Sequence, residues 1–148
     1  MKNKISILHG PNLNLLGERE PSVYGGKTLT EINTNLELIA KKNNVGLDIY
    51  QSNSEADLID YLHACVRSGV KFLIINPAAF THTSVALRDA IVAVKISFIE
   101  VHLSNIHSRE PFRRNSFFSD LADGVICGLG DFGYSMALMY AIDKLKNT

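Results

Sequence analysis

Phe72-Leu-Ile-Ile-Asn76-Pro-Ala-Ala-Phe-Thr-His-Thr-Ser84 is the stretch that decides the fold. Its first part is a short, bulky apolar run ending in a polar residue. Such a run reads as a strand buried on both faces, which is the habit of parallel sheets. The run opens into a polar loop, and Thr83–Val94 behind it reads as a helix. The same alternation recurs outward in both directions. Further strands are expected at Ile5–Leu8, Leu47–Gln51, Ile96–Val101 and Gly124–Cys127.

Helical patterns fill the gaps between these runs. Leu29–Asn43 repeats Leu29, Ile32, Leu36 and Ile39–Ala40 at the spacing of one helical face. Thr28 with Glu31 three residues on predicts a capping box at its start. Ser54–Ser68 repeats Leu58, Ile59, Leu62, Cys65 and Val66, and Gly69 stands where a helix C-terminus favours glycine. Gly133–Leu145 is the last helix. The order β-α-β-α-β-α-β-loop-β-α demands a mostly parallel sheet with right-handed crossovers and helices on both faces. Five such strands predict an α/β, flavodoxin-like doubly wound sheet of order 2-1-3-4-5. No repeat, low-complexity tract or linker divides the chain, so residues 1–148 are expected to form one catalytic domain.

Bulk composition excludes several function classes. Fifteen basic residues balance fifteen acidic ones, which gives no electrostatic footprint for nucleic acid or a membrane surface. That balance permits self-association. Cys65 and Cys127 are the only cysteines and read as buried thiols of a reducing compartment. No Cys/His spacing suggests zinc. Neither a signal-peptide core nor an apolar run of membrane-spanning length is present, so a cytoplasmic location is expected. No GxGxxG follows the first strand, and no GxxxxGK[ST] occurs. Gly128-Leu-Gly130 reads as a tight strand-to-helix turn.

In such a sheet the strand C-termini share one edge, and the loops leaving them form the ligand crevice. Three of these loops are unusually polar: residues 9–25, 76–84 and 100–113. Together they offer Asn12, Arg19, Tyr24, Asn76, His82, His102, Ser104, Arg109 and Arg113 to one cleft. A cation beside a tyrosine favours the phenolate, so Tyr24 with Arg19 is a candidate base. Glu100 and His102 lie two apart in a strand and face the same way, so the carboxylate can orient the imidazole. Each residue also has a plainer reading. His9 at a strand end reads as a hydrogen-bonded structural histidine, Asn12 and Asn14 as turn formers. Arg19 reads as a solvated partner of Glu18 or Glu20, and Tyr24 as an amphipathic surface aromatic.

Four motifs carry a resemblance. They are Gly10-Pro-Asn-Leu-Asn-Leu-Leu-Gly17; Arg19-Glu-Pro21 with Tyr24-Gly25; Asn76-Pro-Ala with Thr81–Asp89; and Glu100-Val-His-Leu-Ser-Asn105 through Arg109–Arg113. The chain closely resembles the type II 3-dehydroquinate dehydratases over nearly its whole length. Ala78-Ala79, where relatives carry glycine, and Ser108 are the small departures.

The resemblance implies anti elimination of water from 3-dehydroquinate, giving 3-dehydroshikimate through an enolate, with neither metal nor organic cofactor. It places the step in the shikimate route to aromatic compounds or in quinate catabolism. Tyr24 would be the proton acceptor and His102 the proton donor. Arg19 would stabilise tyrosinate and transition state, with Asn12 at the enolate oxygen and Glu100 orienting His102. Asn76, Leu103 and Ser104 would hold the ligand carboxylate, while His82, Asp89 and Arg113 would read the ring hydroxyls. Asp89 is expected to come from a neighbouring subunit, because the family assembles as homododecamers, tetramers of trimers. The contrary reading, a flavodoxin-like binding module, lacks a hydroxyl-rich phosphate loop after the first strand and a receiver's acidic cluster.

Overall fold

The computed structural model describes residues 2–148. Five parallel strands run in the order β2-β1-β3-β4-β5: β1 (Lys4–His9), β2 (Gly46–Gln51), β3 (Phe72–Asn76), β4 (Phe98–His102) and β5 (Gly124–Cys127). This is the flavodoxin-like doubly wound order expected from the sequence. Five helices connect or flank them: α1 (Pro21–Tyr24), α2 (Leu29–Lys42), α3 (Glu55–Arg67), α4 (Val85–Val94) and α5 (Phe132–Lys146).

Strand alternation sorts the core into two layers. Ile5, Ile7, Phe72, Ile74, Ile99 and Val101 pack against Leu29, Ile32 and Leu36 of α2 and Tyr134, Ala137, Leu138, Ala141 and Ile142 of α5. Leu8, Leu73, Ile75 and Phe98 face the other way, onto Leu58, Leu62 and Cys65 of α3, Leu87, Ala90 and Ile91 of α4, and Phe118. Each buried Val, Leu, Ile or Phe side chain among these contributes about 1.5–3 kcal/mol by leaving water.

Local chemistry sets the helix ends. Thr28 accepts from the Glu31 amide while the Glu31 carboxylate accepts from the Thr28 amide, so the predicted capping box forms. Ser54 and Ser84 cap α3 and α4 through the amides of Asp57 and Leu87. Gly69 takes φ 79°, and Val70 N–H returns to the Cys65 carbonyl, closing α3.

β1, β2 and α5 run one residue beyond their expected ranges, and three differences from the sequence reading are larger. Residues 9–25 are not one open loop: a 3-10 turn at Leu13–Leu15 and the four-residue α1 punctuate them. Pro21 suits the first turn of α1, where its missing N–H costs nothing. Thr83 stays outside α4, which a 3-10 segment, Ala78–His82, precedes. β4 begins at Phe98 rather than Ile96, because Lys95 ends α4 in a left-handed turn (φ 56°) that must be left before pairing begins. Cys65 is buried as expected, whereas Cys127 on the edge strand β5 is only half-buried; both are free.

Candidate active site

The C-terminal edges of β1, β3 and β4 meet at one crevice. It is lined by Asn12, Leu13, Arg19 and Tyr24 from the first loop, Asn76, Ala78, Ala79 and His82 from the second, and His102, Leu103, Ser104, Ile106, Arg109 and Arg113 from the third. The topology thus brings together nearly every residue singled out from sequence. Two lie elsewhere. Glu100 is fully buried behind His102, and Asp89 is exposed on α4, outside the crevice of its own chain.

A backbone clamp shapes the floor. Gly10 N–H donates to the Asn76 carbonyl at 2.8 Å, joining the first two loops. A Cβ on Gly10 would stand 2.4 Å from the Pro77 carbonyl oxygen, so only glycine fits. Asn12 takes φ 70° at the head of the 3-10 turn, and its N–H is held by Asn53 Oδ1 at 2.9 Å. Its own amide side chain is not used in capping and is left for a ligand. Asn53 is a supporting residue the sequence did not disclose. It comes from the β2–α3 connection, 41 residues downstream.

Tyr24 is half-buried on the first wall. The Arg19 guanidinium carbon lies 5.0 Å from its ring centre, and that of Arg109 lies 5.2 Å away. Arg19 reaches Glu20 only at 3.9 Å, both side chains being well exposed, so that ion pair contributes little. Arg109 Nη1 donates to Ser104 Oγ at 3.2 Å within the third loop, so it is the guanidinium's place over the Tyr24 ring that ties that loop to the first wall.

The opposite wall is built differently. His102 Nε2 lies 2.5 Å from Glu100 Oε2, so Nδ1 is the nitrogen left for a ligand. Glu100 is also held by the Ser119 hydroxyl at 2.7 Å and by the Ser116 hydroxyl at 3.1 Å from both carboxylate oxygens. Burial works to raise the Glu100 carboxyl. The hydrogen bonds from His102, Ser119 and Ser116 and the attraction of the imidazole outweigh it, so the group titrates below the usual carboxylate range. Ser116 in turn accepts from the amides of Phe118 and Ser119, which fixes its hydroxyl toward the carboxylate.

His82 donates from Nδ1 to the Asn115 carbonyl at 2.7 Å, leaving Nε2 as an acceptor. Burial first, then the nearby His102 and Arg113, hold this imidazole below its ordinary value against the Asn115 bond, so it is neutral near pH 7. Gly128 and Gly130 form the predicted turn at positive φ, and their amides take the carbonyls of His102 and Leu103. Among the described residues, no group of three His, Cys, Asp or Glu side chains could hold a metal ion. None of their helices is long and apolar enough to cross a membrane.

A phenol beside two guanidinium groups, facing an imidazole backed by a buried carboxylate, can take one proton and deliver another. The sheet and this crevice define an α/β enzyme of flavodoxin-like fold built for proton transfer on a small polar ligand. A family model for class II dehydroquinases matches residues 3–142. The chain is 59% identical to the 3-dehydroquinate dehydratase of Chromobacterium violaceum, over 99% of this chain and 94% of that protein. It is 62% identical to 3-dehydroquinate dehydratase 1 of Pseudomonas aeruginosa, over 95% of each. The crystal structure of a type II dehydroquinase from Butyrivibrio crossotus superposes with a TM-score of 0.92 at 38% identity, covering 96% of this chain and 98% of the other. This chain belongs to the type II dehydroquinase family.

Proposed function

We propose that the chain is a hydro-lyase that removes water from 3-dehydroquinate by anti elimination, giving 3-dehydroshikimate through an enolate in the shikimate route. The observation that carries this reading is the crevice itself, where Tyr24 between Arg19 and Arg109 faces the Glu100–His102 pair. Tyr24 takes the proton next to the substrate ketone. Arg19 and Arg109 supply the counter-charge a phenolate needs, and the Asn12 amide meets the enolate oxygen. His102 protonates the departing hydroxyl from Nδ1, and Glu100 holds its ring through Nε2.

Substrate contacts divide by loop. Asn76, Ser104 and the backbone at Leu103 and Ser104 take the carboxylate, with Arg113 and the free Nε2 of His82 at the ring hydroxyls. Asp89 joins them from a neighbouring copy, since its own crevice lies beyond its reach. Assembly, for which we propose a homododecamer, is favoured by exposed apolar side chains at one edge of the sheet: Val125 of β5, Leu129 of the following turn, and Phe132, Met136, Met139 and Tyr140 of α5. The whole chain is read as one catalytic domain working in the cytoplasm, without metal or organic cofactor.

The test is an absorbance assay for enone formation from 3-dehydroquinate, run on the wild type and on Tyr24→Phe. Product formation by the wild type and its near loss in the variant are expected. A folded Tyr24→Phe enzyme working at the wild-type rate would remove Tyr24 from the mechanism.

A further inference from the structure

His9 and Asn76 are register partners at the C-terminal ends of β1 and β3. Alternation turns both toward the layer covered by α2 and α5. Tyr134, in the first turn of α5, fills the space between them, and all three are buried. Asn76 Nδ2 donates to the Tyr134 hydroxyl at 2.9 Å. His9 Nδ1 lies 2.9 Å from the same hydroxyl, and His9 Nε2 lies 2.9 Å from Asn33 Oδ1.

Proton counting gives this chain one direction. Asn33 Oδ1 has no proton to offer, so His9 Nε2 carries it. A neutral imidazole then presents a lone pair at Nδ1, to which Tyr134 donates. The Tyr134 oxygen is therefore free to accept from Asn76. Burial keeps the imidazole neutral, pushing it down to about 4 against the opposing Asn33 bond. At its other end, Asn76 Oδ1 accepts from the Ala78 amide at 3.1 Å. A flipped Asn76 amide would set its NH2 against that N–H, so one orientation survives. One Nδ2 proton is used by Tyr134, and the other remains for the crevice that Asn76 lines.

We infer that His9 and Tyr134 are positioning residues, a buried relay that makes Asn76 present an N–H, and not its oxygen, to an acceptor oxygen of the ligand. The inference rests on the dehydroquinate reading only for the ligand's identity, whose carboxylate is such an acceptor. His9 thus does more than fill a strand end, and α5 gains a stake in the site on the far side of the sheet edge.

The relay acts through Asn76, which a double-mutant cycle reads directly. Tyr134→Phe should raise KM for 3-dehydroquinate about tenfold while kcat stays within about threefold, the signature of lost uniform binding. In an Asn76→Ala background the same substitution should change kcat/KM by no more than about twofold. An equal loss in both backgrounds, or an unchanged KM in Tyr134→Phe, overturns the inference. If Tyr134→Phe does not fold, His9 carries the test. His9→Asn keeps an acceptor near the Nδ1 position and should retain KM, whereas His9→Leu should raise it; equal KM values for the two would contradict the relay. A substrate-free measurement separates this inference from the activity. In 15N spectra of the ligand-free wild type, His9 should be the Nε2–H tautomer, with one Asn76 side-chain proton slow to exchange. The opposite tautomer overturns the relay whether or not the enzyme turns over 3-dehydroquinate. An inactive wild type with the expected spectrum would sink the substrate assignment alone.

Discussion

The two walls of the crevice are constructed on opposite principles. His102 ends a central strand and is held by a fully buried Glu100, which itself receives two serine hydroxyls. Tyr24 ends a four-residue helix and touches Arg19 and Arg109 only through the face of its ring. Positive-φ turns at Gly17, Glu20 and Gly25 bracket that helix. One wall is fixed by buried hydrogen bonds, and the other rests on ring-face contacts to two arginines. The proposed acid, His102, needs a fixed orientation, which its buried hydrogen bond to Glu100 secures. If residues 19–26 close over substrate, the proposed base gains, because expelling water strengthens the attraction between phenolate and guanidinium.

The largest effects should come from the proton-transfer groups. Tyr24→Phe should lower kcat by roughly a thousandfold, within the range of positioned acid–base groups, while leaving the melting temperature unchanged. Steady-state kinetics and a thermal melt together check this; a loss of Tm would show that Tyr24 serves packing instead.

A stability change on acidification should follow from His9. Its folded value is about 4, against 6.5 for the ordinary side chain. Between these two the unfolded chain holds the extra proton, so stability falls as pH drops from 6.5 toward 4. The contribution approaches about 3 kcal/mol at full effect. Urea unfolding across this range should show the slope, and His9→Asn should flatten it. An equally steep slope in that variant would assign the effect to other groups.

Breaking the rigid wall should cost less. Ser119→Ala removes a hydrogen bond to the buried Glu100 carboxylate and should destabilise the fold by about 2 kcal/mol, with a several-fold drop in kcat. A variant equal to wild type in denaturant midpoint and kcat would show that Ser116 alone suffices. The smallest effect expected is dynamic. Amides of residues 19–26 should exchange with solvent faster than those of 98–102, and slow when ligand binds. Equal protection in the free protein would erase the contrast between the walls.

The sequence disclosed these walls unevenly, for reasons rooted in spacing. Glu100 and His102 were legible because a two-residue offset in a strand puts both on one face. Ser116 and Ser119 were not, because they return to Glu100 from 16 and 19 residues further along an irregular loop with no periodicity. The strands were readable as apolar runs, and β3 and β5 lie where those runs predict. α1 was missed because four residues are too few to display a helical period. Ala78 shows another limit. Its φ of 53° is a conformation that glycine adopts more easily, and only the bond from its amide to Asn76 explains the turn. Asp89 illustrates the last, since its proposed role belongs to an assembly rather than to one chain.

The central claim is that a tyrosine, prepared by two arginines, starts an elimination that a carboxylate-backed histidine completes. The most direct test follows the enone absorbance of purified wild type and Tyr24→Phe with 3-dehydroquinate, in a chelator and with no added cofactor. Steady product formation by the wild type, reduced about a thousandfold in the variant, is the predicted result. A flat trace from folded wild type, or equal rates from the two proteins, would contradict it.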